Sequence, residues 1–280
     1  MNLSNIKRVC DKIVLLTALL LRKPLEFYDR VTMMPETLYM KPFWLKRFGG
    51  LKPSYHPQGW EDAVKDIKQY LNVEKDFLRE PALKEIQTEV RNRIEKIRLN
   101  PPFSLGLNAD FSMACMCYFV CRVMKPAIVL ETGVAYGVTS AFILKALKAN
   151  GSGILHSVDM PPLERNADKF VGIFIPEELK ANWRLHRGSS KRVFPSLLPE
   201  LKQVDVSIHD SLATYRNIRR ELQEVASHLS NPAFIIVDDA GVNSAFSEWI
   251  EQTNHAFWTV VQKPEKKTHF IVSLINNKAV

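Results

Sequence analysis

The second half of the chain alternates short apolar runs with segments of helical spacing. Five apolar runs of three to five residues occur after Ala127, and this alternation is typical of parallel strands joined by helices. The predicted strands are residues 128–130, 154–158, 183–186, 204–208 and 234–237. Helices are predicted over residues 139–149, where Asn150-Gly151 ends the helix, and over about 214–229.

The chain closes with a different pattern. Two apolar runs, residues 258–261 and 270–275, face each other across the polar stretch Lys263-Pro264-Glu265-Lys266-Lys267. Two strand-like runs joined by a short polar turn predict an antiparallel hairpin. We therefore expect an α/β fold with a mostly parallel, seven-stranded sheet that ends in an antiparallel hairpin.

The first hundred residues follow neither pattern. Proline recurs at positions 24, 35, 42, 53 and 57, which predicts irregular backbone without long helices to about residue 60. Apolar residues then recur at helical spacing over residues 64–71 and 83–97, and a further helix is predicted near 110–124. We expect a helical and irregular segment at residues 1–104, acting as a lid or in oligomerisation, before the α/β domain at residues 105–280.

Residues 13–21, with the sequence IVLLTALLL, are strongly apolar. A bilayer-spanning helix needs about 20 apolar residues, so this run is too short to cross a membrane. Basic residues on both sides would allow the helix to lie on a membrane surface. The favoured interpretation is a helix that packs on another subunit of a homo-oligomer.

Composition and net charge indicate which kinds of binding partner to expect. Hydrophobic residues make up 46% of the chain and charged residues 24%, as in ordinary globular proteins. The net charge of +8 could suit an anionic partner, but the basic residues are scattered and no nucleic-acid-binding motif occurs. We expect no nucleic-acid partner and a cytoplasmic location, since no secretory cleavage site follows the N-terminus.

Three of the four cysteines, Cys115, Cys117 and Cys121, lie close together. Their spacing matches neither zinc nor ferredoxin patterns, and the stretch around them is apolar. We therefore predict a buried helix rather than a metal site, because free cysteine is commonly buried.

A glycine turn follows the first predicted strand. Glu131 ends this strand, Gly133 and Gly137 form the turn, and a helix begins near Thr139. Glycines allow a close backbone approach to a ligand, and the first turn of a helix offers free N–H groups. The third glycine of a dinucleotide-binding fingerprint is missing, which weighs against NAD. Asp159 ends the second strand, where a carboxylate can accept both hydroxyls of an adenosine ribose.

Carboxylates also follow the fourth and fifth strands. Asp210 comes directly after His209, and Asp238-Asp239 end the fifth strand. The carboxyl ends of neighbouring parallel strands meet in one crevice. Like charges brought together there require a cation or a proton, and hard oxygen ligands suit Mg²⁺.

The glycine turn resembles motif I, E-x-G-x-x-x-G, of class I S-adenosylmethionine (SAM) methyltransferases, which implies their Rossmann-like fold. The carboxylates resemble those of the macrocin-type O-methyltransferases that act on antibiotic sugars and other natural products. The first resemblance implies that SAM is bound by Glu131, Gly133, Tyr136, Gly137, Thr139, Asp159 and Ser189. The second implies that Mg²⁺ is bound by Asp210, Asp238 and Asp239. The related pattern H-D-S-x-H-x-Y covers residues 209–215 with Ala213 in place of the second histidine, and it makes Asp210 and His209 the candidate catalytic residues.

Together these features predict a SAM-dependent, Mg²⁺-assisted O-methyltransferase acting on a hydroxyl of a sugar or small natural product. Mg²⁺ would orient this hydroxyl and lower its pKa. Two alternatives stay open. One is an NAD-dependent oxidoreductase, and the other is a non-catalytic protein that uses a methyltransferase fold to bind a membrane surface or a partner.

Overall fold

The computed structural model describes residues 3–39, 53–264 and 268–276. Its strands form a single sheet in the order β3-β2-β1-β4-β5-β7-β6. The strands are β1 Ile128–Thr132, β2 Ile154–Asp159, β3 Trp183–Arg187, β4 Val204–His209, β5 Leu229–Val237, β6 His255–Gln262 and β7 His269–Ile275. Strands β1 to β5 pair in parallel, whereas β7 pairs antiparallel with both β5 and β6. The predicted sheet and its terminal hairpin are confirmed.

Nine helices of the described residues surround this sheet. They are α1 Leu3–Arg22, α2 Pro24–Tyr39, α3 Trp60–Tyr70, α4 Pro81–Ile97, α5 Phe111–Met124, α6 Val138–Asn150, α7 Ser190–Leu201, α8 Tyr215–Ala226 and α9 Ala245–Glu251. The main core lies where α5 and α6 pack against the sheet with α4 beside them. Helix α5 contains Cys115, Cys117 and Cys121 as buried free thiols, as the sequence predicts.

The prediction of irregular backbone to about residue 60 is wrong for residues 3–39, which form the two long helices α1 and α2. Pro24 is the first residue of α2, where the missing N–H has no partner to lose and the fixed φ favours a helix. Pro35 lies inside α2 and removes one hydrogen bond without ending the helix. Residues 40–52, which include the predicted irregular stretch around Pro42, lie outside the described residues.

Two other helices were not predicted. Helix α7 contains Pro195 and Pro199 and still buries apolar residues against the sheet, so packing outweighs the two prolines. Helix α9 has only seven residues and packs between α8 and the hairpin. The predicted helix over 214–229 ends at Ala226, because Leu229 already belongs to β5.

The carboxyl ends of β1, β4 and β5 are held side by side. The Asp210 N–H donates to the Thr132 carbonyl at 2.8 Å, and the Asp238 N–H donates to the His209 carbonyl at 2.8 Å. These bonds continue the sheet pairing one residue past the strands. The loops that carry the predicted site residues therefore leave the same edge of the sheet. None of the helices in the described part of the chain has the length and apolar character needed to cross a membrane.

Candidate active site

A cavity of about 530 Å³ opens at this edge of the sheet, within the size range of small-molecule sites. The loops after β1 to β5 form its floor and walls, and helix α2 contributes Arg30 and Met33. Of the predicted site residues, those that line the cavity are Gly133, Asp159, Ser189, Asp210, Asp238 and Asp239. The other five, Glu131, Tyr136, Gly137, Thr139 and His209, do not line it.

Gly133 brings the loop after β1 against the loop after β4. Its φ is +85°, a conformation that favours glycine, and a Cβ at this position would overlap the carbonyl oxygen of Asp210. Gly137 also has a left-handed φ of +91°, but a Cβ there would meet Gly172 and Ile175 instead. Gly133 therefore shapes the cavity, whereas Gly137 allows the loop to pack closely on Gly172 and Ile175.

Glu131 lies beneath the glycine loop, with no exposed surface. Its carboxylate accepts hydrogen bonds from Ser140 Oγ at 2.6 Å and from Ser157 Oγ at 2.7 Å. Burial raises the pKa of Glu131 to about 7, although the two serine hydrogen bonds lower it. The side chain thus ties β1 to β2 and α6 and does not line the cavity, and its predicted contact with SAM stays a prediction.

Tyr136 packs in the core rather than over the cavity. Its ring stacks on Phe103 with 3.9 Å between ring centroids, and its hydroxyl donates to the Phe103 carbonyl at 2.7 Å. Thr139 is buried in the first turn of α6. Both side chains are buried and neither lines the cavity, so a contact of either with the cofactor stays a prediction.

The two carboxylate oxygens of Asp159 differ in their hydrogen bonding. Its Oδ1 accepts from the Val134 N–H at 2.9 Å, which fixes the carboxylate beside the glycine loop. Its Oδ2 has no hydrogen-bond partner among the described residues, and the nearest cation, Arg187, lies 3.7 Å away. Burial raises the pKa of Asp159, while the Val134 N–H and Arg187 lower it. A ligand hydroxyl at Oδ2 would satisfy this buried oxygen.

Ser189 is joined to the N-terminal helices by Asp29, which the sequence analysis did not identify. Asp29 of α2 is fully buried and accepts from Ser189 Oγ at 2.8 Å. Arg192 of α7 pairs with the same carboxylate at 2.8 Å. Helix α2 is thereby fixed over the loop after β3. Asp29 is a single acidic residue in a stretch predicted to be irregular, so the sequence did not predict this contact.

The carboxylates after β4 and β5 share a buried lysine. Lys263 Nζ lies 2.5 Å from Asp238 Oδ1 and 2.9 Å from Asp239 Oδ1, and its side chain has no exposed surface. Burial lowers the pKa of Lys263, but the charges and hydrogen bonds of the two aspartates outweigh it and raise the pKa overall. Burial raises the pKa of Asp210 well above its usual range, and the neighbouring Asp238 raises it further.

This arrangement does not fit the predicted Mg²⁺ site. The three expected ligands do come together, but the ammonium group of Lys263 lies against two of them. Lysine offers donors only, whereas Mg²⁺ requires a near-octahedral set of oxygens. Among the described residues, no group of three His, Cys, Asp or Glu side chains is arranged to hold a metal ion. The sequence analysis treated Lys263 as part of a solvated turn and so missed it.

His209 lies below the cavity and contacts a second residue that the sequence analysis missed. Its Nδ1 is 2.6 Å from Glu221 Oε2 of α8, and Glu221 itself lines the cavity. Glu221 also accepts from Thr132 Oγ1 at 2.7 Å and from Asn217 Nδ2 at 3.0 Å. Burial raises the pKa of Glu221, but His209 and the hydrogen bonds from Ser190 and Thr132 outweigh it and hold the pKa at about 2. His209 therefore contacts Glu221 and is not among the lining residues, and its catalytic role stays a prediction.

Known proteins resemble part of this chain in sequence and most of it in fold. Residues 130–240 match the family model described as a methyltransferase domain. The O-methyltransferase TomG from Streptomyces achromogenes, involved in tomaymycin synthesis and solved with SAM, has a TM-score of 0.53 at 16% identity, covering 77% of this chain and 96% of its own. An O-methyltransferase from Bacillus cereus, solved with SAH, has a TM-score of 0.53 at 12% identity, covering 78% and 100%. A putative caffeoyl-CoA O-methyltransferase from Staphylococcus aureus also has a TM-score of 0.53 at 11% identity, covering 77% of this chain and 99% of its own. No curated protein matches the chain.

These likenesses confirm the predicted class I methyltransferase fold, and the family model assigns the methyltransferase domain directly. The matched residues run from β1 to the loop after β5, so they contain every predicted site residue. At 11–16% identity the solved structures show the fold alone. The narrower likeness to macrocin-type enzymes stays a prediction.

Proposed function

We propose that this chain, which contains a class I methyltransferase domain, is a SAM-dependent O-methyltransferase that acts on a hydroxyl of a small molecule. One observation carries the proposal: Asp159, with a free buried oxygen, and Asp210 line the same cavity beside the Gly133 loop. The solved relatives with SAM or SAH support the choice of cofactor.

SAM would supply a sulfonium-bound methyl group to this cavity. Asp159 Oδ2 would accept hydrogen bonds from the ribose hydroxyls, and the backbone of residues 133–135 would lie along the methionine part. Ser189, held by Asp29, would lie near the base. Arg30 and Met33 of α2 would cover the bound molecule and exclude water, which supports a lid role for the N-terminal helices.

Asp210 is the residue that we assign to the acceptor hydroxyl. It lines the cavity at the end of β4, and a carboxylate there can hold the hydroxyl in line with the methyl group and accept its proton. We propose a sugar or small natural product as the acceptor. Mg²⁺ dependence stays an untested prediction, and the position of Lys263 argues against it.

The rival functions have less support. An NAD-dependent oxidoreductase does not account for the match to a methyltransferase domain. A non-catalytic scaffold does not account for the buried Asp159 Oδ2, which lies at the cavity without a hydrogen-bond partner among the described residues. A role of α1 in binding a membrane surface or a second copy is compatible with either function, because exposed apolar residues such as Ile13, Val14 and Leu21 lie on that helix.

The test is thermal unfolding of the purified chain with SAM, SAH or NADH. A ligand that binds the native state alone at 100 times its Kd stabilises that state by about 2.7 kcal/mol, so SAM and SAH should raise the Tm by several degrees. Asp159→Ala should remove most of this increase. Asp62→Ala, at an exposed carboxylate of α3, is the matched control and should keep it. An increase with NADH alone would contradict the proposal.

A further inference from the structure

We infer that Lys263 is the resident cation of the acidic cluster, so that methyl transfer at this site proceeds without a divalent metal. The acidic cluster is defined here as Asp210, Asp238 and Asp239. The inference rests on the proposed function for its chemistry, but the position of Lys263 is independent of that function.

The charges in the cluster favour a cation at this place. Asp210 follows β4 and Asp238-Asp239 follow the adjacent β5, and all three line one cavity, so a cation or a proton is needed to stabilise the like charges there. Lys263 Nζ lies 2.5 Å from Asp238 and 2.9 Å from Asp239. These are the distances of direct ion pairs, so the ammonium group supplies the positive charge that these two carboxylates would otherwise draw from a metal ion.

The hairpin fixes the lysine in this position. The Lys263 N–H donates to the Thr268 carbonyl at 3.0 Å, which closes the turn between β6 and β7. The preceding residue, Gln262, donates its N–H to the Gln58 carbonyl at 2.9 Å and its side-chain amide to Thr268. The stem of Lys263 is fully buried. Moving the ammonium group away would break its ion pairs with the buried Asp238 and the partly exposed Asp239 and leave a buried charge on the lysine, which is strongly unfavourable.

Lys263 does not line the cavity, whereas all three carboxylates do. It is therefore a positioning residue, which holds Asp238 and Asp239 from behind. This arrangement leaves Asp210 facing the acceptor. With SAM and an acceptor bound, Asp210 would accept the proton of the acceptor hydroxyl as its O–H bond breaks, and SAM would supply the methyl group for the new O–CH₃ bond, the electron pair of the S–CH₃ bond remaining on sulfur. The step balances without a metal or a redox partner.

The test uses Mn²⁺ as a probe of divalent-ion binding, with the full-length chain treated with EDTA and dialysed. Mn²⁺ is added to the protein with and without SAM, and free Mn²⁺ is measured by electron paramagnetic resonance. Wild-type protein at about 100 μM should leave the free Mn²⁺ signal unchanged, because the ammonium group excludes the ion. Lys263→Met keeps an apolar stem and exposes three carboxylates, so it should bind one Mn²⁺ per chain at least tenfold more tightly than wild type. Lys145→Met, at a surface lysine paired with Glu85, is the matched control and should bind none.

The wild-type measurement decides the matter even if Lys263→Met fails to fold. Stoichiometric binding of Mn²⁺ by wild-type protein would overturn the inference, and so would a folded Lys263→Met protein that gains no Mn²⁺ binding. The SAM-induced increase in Tm, measured on the same EDTA-treated samples, separates the two proposals. If that increase is absent, the proposed function fails, whereas the inference about Lys263 is judged by the Mn²⁺ signal alone.

Discussion

The glycine loop after β1 and the acidic cluster after β4 and β5 line one cavity, but their charges are stabilised in different ways. Glu131, under the loop, is stabilised by Ser140 and Ser157, which belong to the elements next to it in the fold and sequence. The aspartates of the cluster are stabilised by Lys263, which comes from the hairpin that completes the sheet. The loop is thus complete once β1, β2 and α6 have formed, whereas the cluster depends on the end of the chain.

The two regions are nevertheless in direct contact. The Cα of Gly133 packs so closely on the backbone of Asp210 that no side chain fits between them. A change in the loop should therefore damage the cluster as well. The first prediction uses this contact.

The largest effect is expected for Gly133→Ala. The left-handed φ of +85° costs an alanine roughly 1–2 kcal/mol, and overlap with the Asp210 backbone adds roughly 1–3 kcal/mol, for a total of roughly 2–5 kcal/mol in the free energy of unfolding. Displacing Asp210 should also abolish methyl transfer. Urea unfolding measures the first effect. The control is Gly151→Ala, at φ +75° with no atom within 4 Å of the new Cβ, which should lose only about 1 kcal/mol. Equal losses in the two variants would show that the loops are not in contact.

The second prediction concerns the pH dependence of Glu131. Its pKa is about 7 in the folded chain against an ordinary value of 4.5, so the native state holds the proton more tightly than the unfolded state. This contribution to stability is fully present below pH 4.5 and is lost as the pH rises to 7, with a decrease of about 3 kcal/mol. Glu131→Gln keeps the shape and the serine hydrogen bonds but carries no proton. The difference in unfolding free energy between wild type and Glu131→Gln should therefore change by about 3 kcal/mol between pH 4.5 and pH 7.5, measured by urea unfolding at each pH.

The same variant tests whether Glu131 contributes to cofactor binding. Glu131 does not line the cavity, so Glu131→Gln should keep the SAM-induced increase in Tm at pH 7.5. A variant that lost this increase would place Glu131 in contact with the cofactor, as the family motif implies.

The contrast between the regions explains what the sequence could predict. The strands and the turns of the glycine loop follow from local patterns, and so does the presence of carboxylates at the ends of β2, β4 and β5. The partners of these carboxylates do not. Asp29, Glu221 and Lys263 lie on elements far from the residues they contact, and each looks like an ordinary charged surface residue in its own segment.

The helices α1 and α2 were also not predicted from local sequence. Prolines in the sequence argue against long helices, but Pro24 begins one helix and Pro35 is tolerated in it because the helix packs on the domain. Buried Asp29 and its contacts with Ser189 and Arg192 stabilise α2 through tertiary structure. Local propensity is a weak guide where tertiary contacts of this kind are made.

The smallest effect on the cavity is expected for deletion of residues 1–23. The contacts that close the cavity come from Asp29, Arg30 and Met33 of α2, all of which remain after the deletion. The deletion does remove Lys23, whose ion pair with Asp168 at 2.9 Å is half-exposed and contributes about 0–1 kcal/mol. The SAM-induced increase in Tm should therefore be unchanged in the deleted chain, and both the glycine loop and the acidic cluster should be intact. Asp29→Ala is the informative contrast, because it removes the bond to Ser189 and should weaken SAM binding with α1 still present.

The deletion should instead change assembly. Helix α1 exposes Ile13, Val14, Leu20 and Leu21, and exposed apolar residues on one helix favour packing on another copy of the chain. Light scattering should then show a lower mass for the deleted chain than for the full chain. A full chain that is already monomeric, and that binds anionic vesicles only when residues 1–23 are present, would contradict the subunit contact and favour a membrane surface as the partner of α1. If the deletion removed the SAM-induced increase in Tm, the contrast between the glycine loop and the acidic cluster would be wrong. Cofactor binding would then depend on a distant helix, just as the acidic cluster depends on Lys263.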